Sequence, residues 1–500
     1  MSFLFIGPAL AQVPSPAPAK TQKNSQFQWQ FHALPLANLV YQLDCLSGQG
    51  HCSLDAYRQL WQSQMQWNAS DQTYIKQWQT LKARYQMQWL FEASQSPTSH
   101  FPLRFEGLDL TRKFRLPALE ARDLPDYQSR VALLLHPRDA EQITALLTHF
   151  YPRFESWWQT QAAAKTEMAA KEFLQLIQTH QLADLAENSA QFYASQLPAG
   201  GVLNFHFFFR PGGLGSSGSQ NGEQIENHSL IEVIPEKPLQ NQVAVILHEL
   251  NHYFYSRSET SKHAALVGWF AARSEPWAIP AYNLLNEVVA TSLANGLVMR
   301  KVLNQASYTR YFQTPGSFYF DAYIDPVAKA LIPRLELAFK QKETLYSPAF
   351  LSDYLSTVKS ALGDKALTPE LFLRTSGLVS EGPELQPVVK AFQQELRIGT
   401  SWGSQNLSQG DKTFQNFQAL SGAVFLKPSQ IQELESWTSL LNGAELKKIR
   451  SQSQFKKPFV WGLQRQPSTW LFFFVAETPA EFQNLLQRFK AQKQVFAGPL

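Results

Sequence analysis

Between Asn241 and Ser256 the chain carries a single charged side chain, Glu249, inside Val243-Ala244-Val245-Ile246-Leu247-His248-Glu249-Leu250-Asn251-His252-Tyr253-Phe254. No other stretch constrains the fold as much, because a helix that is apolar nearly all round has to be buried through the middle of a domain. The carboxylate and imidazoles within it then need partners, since a buried charge left alone is costly. Four residues of helix turn through about 400° and rise roughly 6 Å, so His248 and His252 leave one face a turn apart, where two imidazoles can hold one ion. Glu249 projects one position round. It can act as a general base without taking a coordination site.

The H-E-x-x-H pattern of His248, Glu249 and His252, with uncharged Leu250 and Asn251 and apolar Tyr253 and Phe254 around it, resembles the zincin metallopeptidases. The resemblance implies a Zn2+ cofactor on His248 and His252, a peptide or protein substrate, and Glu249 as the base. A hydrolytic zinc site keeps three protein ligands and leaves its fourth position open. The eleven histidines stop at His263, and Tyr255 and Ser258 occupy the places where a longer H-E-x-x-H-x-x-G-x-x-H pattern has its glycine and last histidine. A carboxylate is therefore the better third ligand, and the acids downstream are Glu259, Glu275 and Glu287, then Asp321 and Asp325.

Glu287 is the acid expected to serve. It sits in an apolar, small-residue helical stretch, Leu284 to Ala294, that Asn295-Gly296 could close. Asn286-Glu287-x-x-Ala290 is similar to the second helix of the gluzincins, whose glutamate is the third ligand, although Thr291 stands where many of them carry an orienting aspartate. Glu275 lies in Arg-Ser-Glu-Pro-Trp-Ala-Ile-Pro, which reads as loop. Such chemistry also needs a donor for the oxyanion. With no histidine beyond His263, it is a Tyr or Arg from 308–323: Tyr308, Arg310, Tyr311, Tyr319 or Tyr323, with Tyr311 and Tyr323 put forward as catalytic candidates.

Upstream, 202–209 and 228–234 read as strands, joined by the flexible Gly212-Gly213-Leu214-Gly215-Ser216-Ser217-Gly218. In zincins the strand before the active-site helix is an edge that pairs with extended substrate. The resemblance gives that role to 228–234, with His228, Leu230 and Glu232 as substrate-binding residues and His206 as a further wall residue; an ordinary hairpin is the plain alternative. The glycine-rich connection has no following Lys-Ser/Thr, which excludes a phosphate loop.

A hydrophobic fraction of 44% with 17% charged residues over 500 positions supports several packed domains. The formal charge of +4 is mild, and with no basic run no nucleic-acid partner is implied. Met1 to Ala11, ending in Ala-Leu-Ala before Gln12, reads as the end of a signal peptide, with a Pro-rich spacer over 12–29. An exported, periplasmic or secreted protein would pair its two cysteines, Cys45 and Cys52, in one local disulfide. No stretch is long enough for a transmembrane segment.

The expected class is α+β and mostly helical. A helical N-terminal region over 30–198 precedes a zincin-like catalytic domain over 199–398, a linker over 399–414, and a small α/β domain of βαββα order over 415–500. The expected function is a zinc-dependent peptidase. The competing expectation is a non-catalytic binding protein of the cell envelope built on the same scaffold.

Overall fold

A computed structural model describes residues 27–48, 54–85, 112–197, 200–211, 220–453 and 457–500. The chain is mostly helical with two mixed sheets, of four and six strands, in agreement with an α+β class. Met1 to Ala11, expected to be the end of a signal peptide, and Cys52 and Gly212 to Gly218 lie outside the described residues.

The first sheet contains β1 (Gln28–His32), β2 (Val202–Phe209), β3 (Gly222–Ile225) and β4 (His228–Val233), in the order β1-β2-β4-β3. β1, β2 and β4 are parallel, and β3 closes the sheet as an antiparallel edge. The run Phe205-His206-Phe207-Phe208-Phe209 suits this position, because an inner parallel strand is covered on both faces and has no need of polar alternation. Phe205, Phe207 and Ile231 pack toward the motif helix, while Phe208 and Leu230 pack under the N-terminal helices.

This arrangement corrects two expectations. Residues 202–209 and 228–234 do not form a hairpin, since they are parallel neighbours; the tight hairpin joins β3 to β4 through Glu226, which takes a positive φ of 51°. Nor is 228–234 the edge. Glu223 and Gln224 give β3 the polarity an exposed edge requires, whereas every residue of β4 is buried. The spacer expected over 12–29 also ends inside a strand, as Gln28 pairs with Val202.

The N-terminal helices run from Pro35–Leu46 to Leu182–Phe192. Helix Leu54–Gln64 ends before Asn68, which starts a new helix: its side chain accepts from Ser70 N at 2.9 Å, and Asn68 N donates to Asp71 at 2.9 Å. The region is also not separate from the domain after it, because helices Ala163–Thr179 and Leu182–Phe192 share one core with the motif helix.

The second sheet contains β5 (Thr375–Ser380), β6 (Thr400–Ser404), β7 (Gly422–Leu426), β8 (Phe459–Gln466), β9 (Thr469–Val475) and β10 (Gly498–Pro499), in the order β10-β8-β9-β7-β5-β6. Strands β9, β7, β5 and β6 are parallel. The expected linker over 399–414 is instead β6 followed by the start of helix Leu407–Asn416, so the α/β unit begins near Thr375 and is larger than βαββα. Its glycines and serines look like linker residues, yet a parallel neighbour fixes them in the sheet. Among the described residues no helix is long and apolar enough to cross a membrane.

Candidate metal centre

The motif helix spans Val243–Ser256 and buries Val243, Ile246, Leu247, Leu250 and Phe254. Full burial of each such side chain contributes roughly 1.5–3 kcal/mol. Its start is tied to the end of β4 by Gln242, whose amide accepts from Ile234 N at 3.0 Å and donates to Ile234 O at 2.9 Å. The helix is thereby fixed in height beneath the sheet. Glu287 comes from Ala278–Thr291, held by Tyr354 Oη donating to Ala281 O at 2.8 Å and Asn283 Nδ2 donating to Leu371 O at 3.1 Å. Asn295-Gly296 does not close this helix. It continues as a π-turn over Ser292–Val298, where a Cβ on Gly296 would lie 2.7 Å from Ile332, so the glycine serves close packing.

The structure brings His248, His252 and Glu287 together, with one donor atom from each lying within 4.8 Å of the others. The Nε2 atoms of the two histidines are 3.0 Å apart. Each is 3.4 Å from a different Glu287 oxygen. Ligands at about 2.0–2.2 Å from a tetrahedral zinc ion are separated by roughly 3.4 Å, so this donor set fits such an ion. Glu287 Oε2 has no hydrogen-bond partner, and the charged groups that hold its carboxyl down are histidines, with no Lys or Arg among them. Its side chain is 37% exposed, so solvent reaches the group on the Glu287 side. Neither rival acid is there: Glu259 accepts from Gln196 at 2.7 Å on the surface, and Glu275 lies outside the triad.

Burial alone would raise the Glu287 carboxyl, yet His252 and His248 hold it well below the ordinary carboxylate range. Burial would likewise lower His252, but Glu287 prevails, aided by Glu249 and Asn286, and raises it to about 9. Asn286 thus supports His252 from beside Glu287, while Thr291 is fully buried with an unpartnered hydroxyl. Burial pushes Glu249 up, against the pull of His252 and His248.

Gly222 is a residue that sequence reasoning misses. A Cβ there would sit 2.5 Å from Glu249 Oε1, so β3 can pass over the base only as glycine. The signal is present as Asn221-Gly222 opening a strand, a pair that normally indicates only a turn.

The structure redistributes the remaining candidates. Tyr311 Oη accepts from Asn295 at 3.0 Å, and Tyr323 Oη lies 3.4 Å from Glu370 and 3.3 Å from Thr368. Tyr308 is buried and Arg310 is exposed. Tyr319 is the tyrosine at the triad: its ring stacks 6.0 Å from that of His248, and burial together with the facing Glu287 carboxylate raises its phenol well above the usual range. Sequence spacing could not separate four tyrosines, because a loop chooses among them.

His228, Leu230 and Glu232 are corrected as substrate-binding residues. All three are buried on β4, on the sheet face turned away from the motif helix. His228 Nδ1 is 2.8 Å from His206 Nε2, and Glu232 accepts from Tyr57 at 3.0 Å and from Asn221 Nδ2 at 3.0 Å. Their hydrogen bonds run within the sheet and to Tyr57 of the N-terminal helices. Cys45 is buried at the end of helix Pro35–Leu46, and its expected partner Cys52 lies outside the described residues.

No family model matches the chain, and neither the curated proteins nor the solved structures contain a match.

Proposed function

We propose that the chain is a zinc-dependent peptidase of zincin, gluzincin-like character, exported to the periplasm or secreted. The observation that carries this reading is the triad His248, His252 and Glu287 at tetrahedral ligand separations, open on one side, with Glu249 one residue from the first histidine. Zinc bound there would supply a Lewis acid for a water molecule and for the scissile carbonyl.

The chain's own groups do the rest. Glu249 takes a proton from the attacking water and passes it to the leaving amine, a role suited to a carboxyl raised by burial toward neutrality. Gly222 lets β3 lie close enough to exclude other groups from Glu249. The free edge of β3 can pair with an extended peptide by strand addition. Tyr319, protonated at neutral pH, is placed to donate to the developing oxyanion.

The test joins metal content to turnover. Dialysed protein should hold one zinc per chain and cleave a denatured protein substrate. Glu249→Gln should keep the zinc and lose about 10²–10⁴-fold in rate. A folded protein with neither tightly held zinc nor hydrolysis would overturn the peptidase reading and favour the non-catalytic binding scaffold instead. For export, thiol titration of protein made under oxidising conditions should find no free thiol before reduction, with Cys45 and Cys52 paired.

A further inference from the structure

Two arginines of the C-terminal α/β unit reach the loop that carries Tyr319. Arg374, the residue before β5, donates from Nη2 to Asp321 Oδ2 at 2.7 Å and to Glu370 Oε1 at 3.1 Å. Its guanidinium lies 5.5 Å from the centre of the Tyr323 ring. Arg397 follows helix Gln386–Glu395 in a left-handed conformation, φ 51°, and donates from Nη1 to Phe320 O at 3.3 Å. The same nitrogen is 3.8 Å from Asp321 Oδ2. The other Asp321 oxygen accepts from Tyr323 N at 2.9 Å and Ile324 N at 3.1 Å, so it also holds the start of helix Ile324–Gln341. One carboxylate therefore ties the loop to a helix on one side and to the second sheet on the other.

The inner side of the loop is held as well. Phe318 N donates to Asp325 Oδ1 at 3.0 Å, and the buried Phe318 ring lies 5.1 Å from Lys329 Nζ. Between these anchors stand Tyr319, turned to His248 and Glu287, and Phe320, which is 87% exposed. Nothing apolar draws Phe320 inward, so hydrophobic packing at that position does not fix the loop. Its carbonyl is fixed by Arg397.

We propose that Arg374 and Arg397 are positioning residues that hold Tyr319 against the His248–His252–Glu287 triad through Asp321 and the Phe320 carbonyl, making the C-terminal α/β unit a working part of the site. The effect on turnover rests on the peptidase reading; the placement of the ring does not. Both carboxylates accept from the one nitrogen Nη2, which the rigid, planar guanidinium holds in place, whereas an ammonium on a flexible stem fixes its donors less firmly. The Arg374–Asp321 pair is 12% and 5% exposed, so removing the cation leaves Asp321 buried with less compensation.

The test uses the full chain labelled with 3-fluorotyrosine and observed by 19F NMR, with the Tyr319 resonance assigned by its loss in Tyr319→Phe. In Arg374→Ala that resonance should move toward the position of free fluorotyrosine and broaden with a soluble paramagnetic agent. Arg374→Lys should restore only part of the shift. Arg397→Ala, at a residue 58% exposed, should keep the fold and give a smaller displacement in the same direction. On peptide substrate, kcat should fall about tenfold in Arg374→Ala while KM changes less than about twofold and zinc content stays constant. A Tyr319 resonance unmoved in both folded alanine variants overturns the proposal. If the wild-type protein cleaves no peptide yet the resonance responds as described, the peptidase reading fails and the positioning role stands.

Discussion

The two sheets bury polar groups of different kinds. On and beside the first sheet lie His206, Arg210, His228 and Glu232, all ionisable and nearly inaccessible; the buried polar residues in the strands of the second are Ser376, Ser380 and Thr469. Burying a hydroxyl without a partner, as at Ser376 and Thr469, costs about 1–3 kcal/mol, whereas a buried ionisable group costs more and shifts its protonation. The first sheet carries that cost on the face turned away from the His248–His252–Glu287 group, and β1 and β3 form its two edges. The second is apolar on both faces, with Phe425, Phe472 and Phe474 on one side and Val424, Leu471 and Phe473 on the other. Its polar contribution to the site is confined to Arg374 and Arg397.

Four experiments would break or sharpen this contrast. The largest effect belongs to Glu287→Ala, which should weaken zinc binding by orders of magnitude, while Glu259→Ala and Glu275→Ala leave it unchanged. Metal stoichiometry after dialysis is the measurement, and a folded Glu287→Ala protein that keeps one tightly held zinc would remove Glu287 from the ligand set. Next, Gly222→Ala drives a methyl group into Glu249 and should cut kcat by about tenfold or more with zinc retained. Unaltered turnover would mean that β3 yields without disturbing the base.

The third experiment is a pH series on stability. Burial holds His228 down to about 4, His206 well below its ordinary value and His32 below it too, with neighbouring imidazoles adding to the effect at His206 and His228. A depressed imidazole stays neutral in the fold while the unfolded chain takes up its proton, so this contribution is complete above about 6.5 and is lost as pH falls toward 4. Glu232, raised by burial, pulls the other way, so the readout is the difference between variants. The melting temperature of His228→Gln should fall less between pH 7.5 and 4.5 than that of the wild type. Equal slopes would show that these histidines are protonated in the fold. The smallest effect is expected in the second sheet, where Val424→Ala should cost about 1–3 kcal/mol, equally at both pH values and without loss of zinc. A change in metal affinity there would show the sheets to be more tightly coupled than two arginines explain.

Whatever is local along the chain is legible in the sequence. The motif helix follows from the lack of charge along it, and the meeting of His248 and His252 on one face follows from their spacing. Glu287 follows from a single acid in an apolar helix, and the triad geometry agrees. β7, β8, β9 and the last helix are legible because each is a short apolar run or an amphipathic turn set bounded by Pro or Gly. The rest depends on pairing across long separations. β6 reads as Gly-Ser linker until β5 lies beside it, and β1 reads as the end of a spacer and the start of a helical region until β2 does. The choice of Tyr319 over Tyr311 and Tyr323 is made by Asp321 and its two arginines, and the demand for Gly222 is made by a carboxylate more than twenty residues away. Neither leaves a periodic trace.

The pairing of β1 with β2 also bears on how the chain reaches its native state. His32 and Asn204, in contact at 3.1 Å, are 172 residues apart, and the N-terminal helices all lie in the span between them. Closing a flexible loop of that length costs roughly 4–5 kcal/mol in chain entropy, before any strand contact offsets it. Condensing the intervening helices first shortens the effective loop, so β1 should join the sheet late, on a surface already assembled from β2, β3 and β4. Until then the backbone groups along the outer side of β2 have no strand partner, and the half-formed sheet presents this longer, more apolar edge in place of β1. A newly made chain would be most prone to self-association in that interval, and a chaperone that shields the edge of β2 would give the largest gain in folding yield.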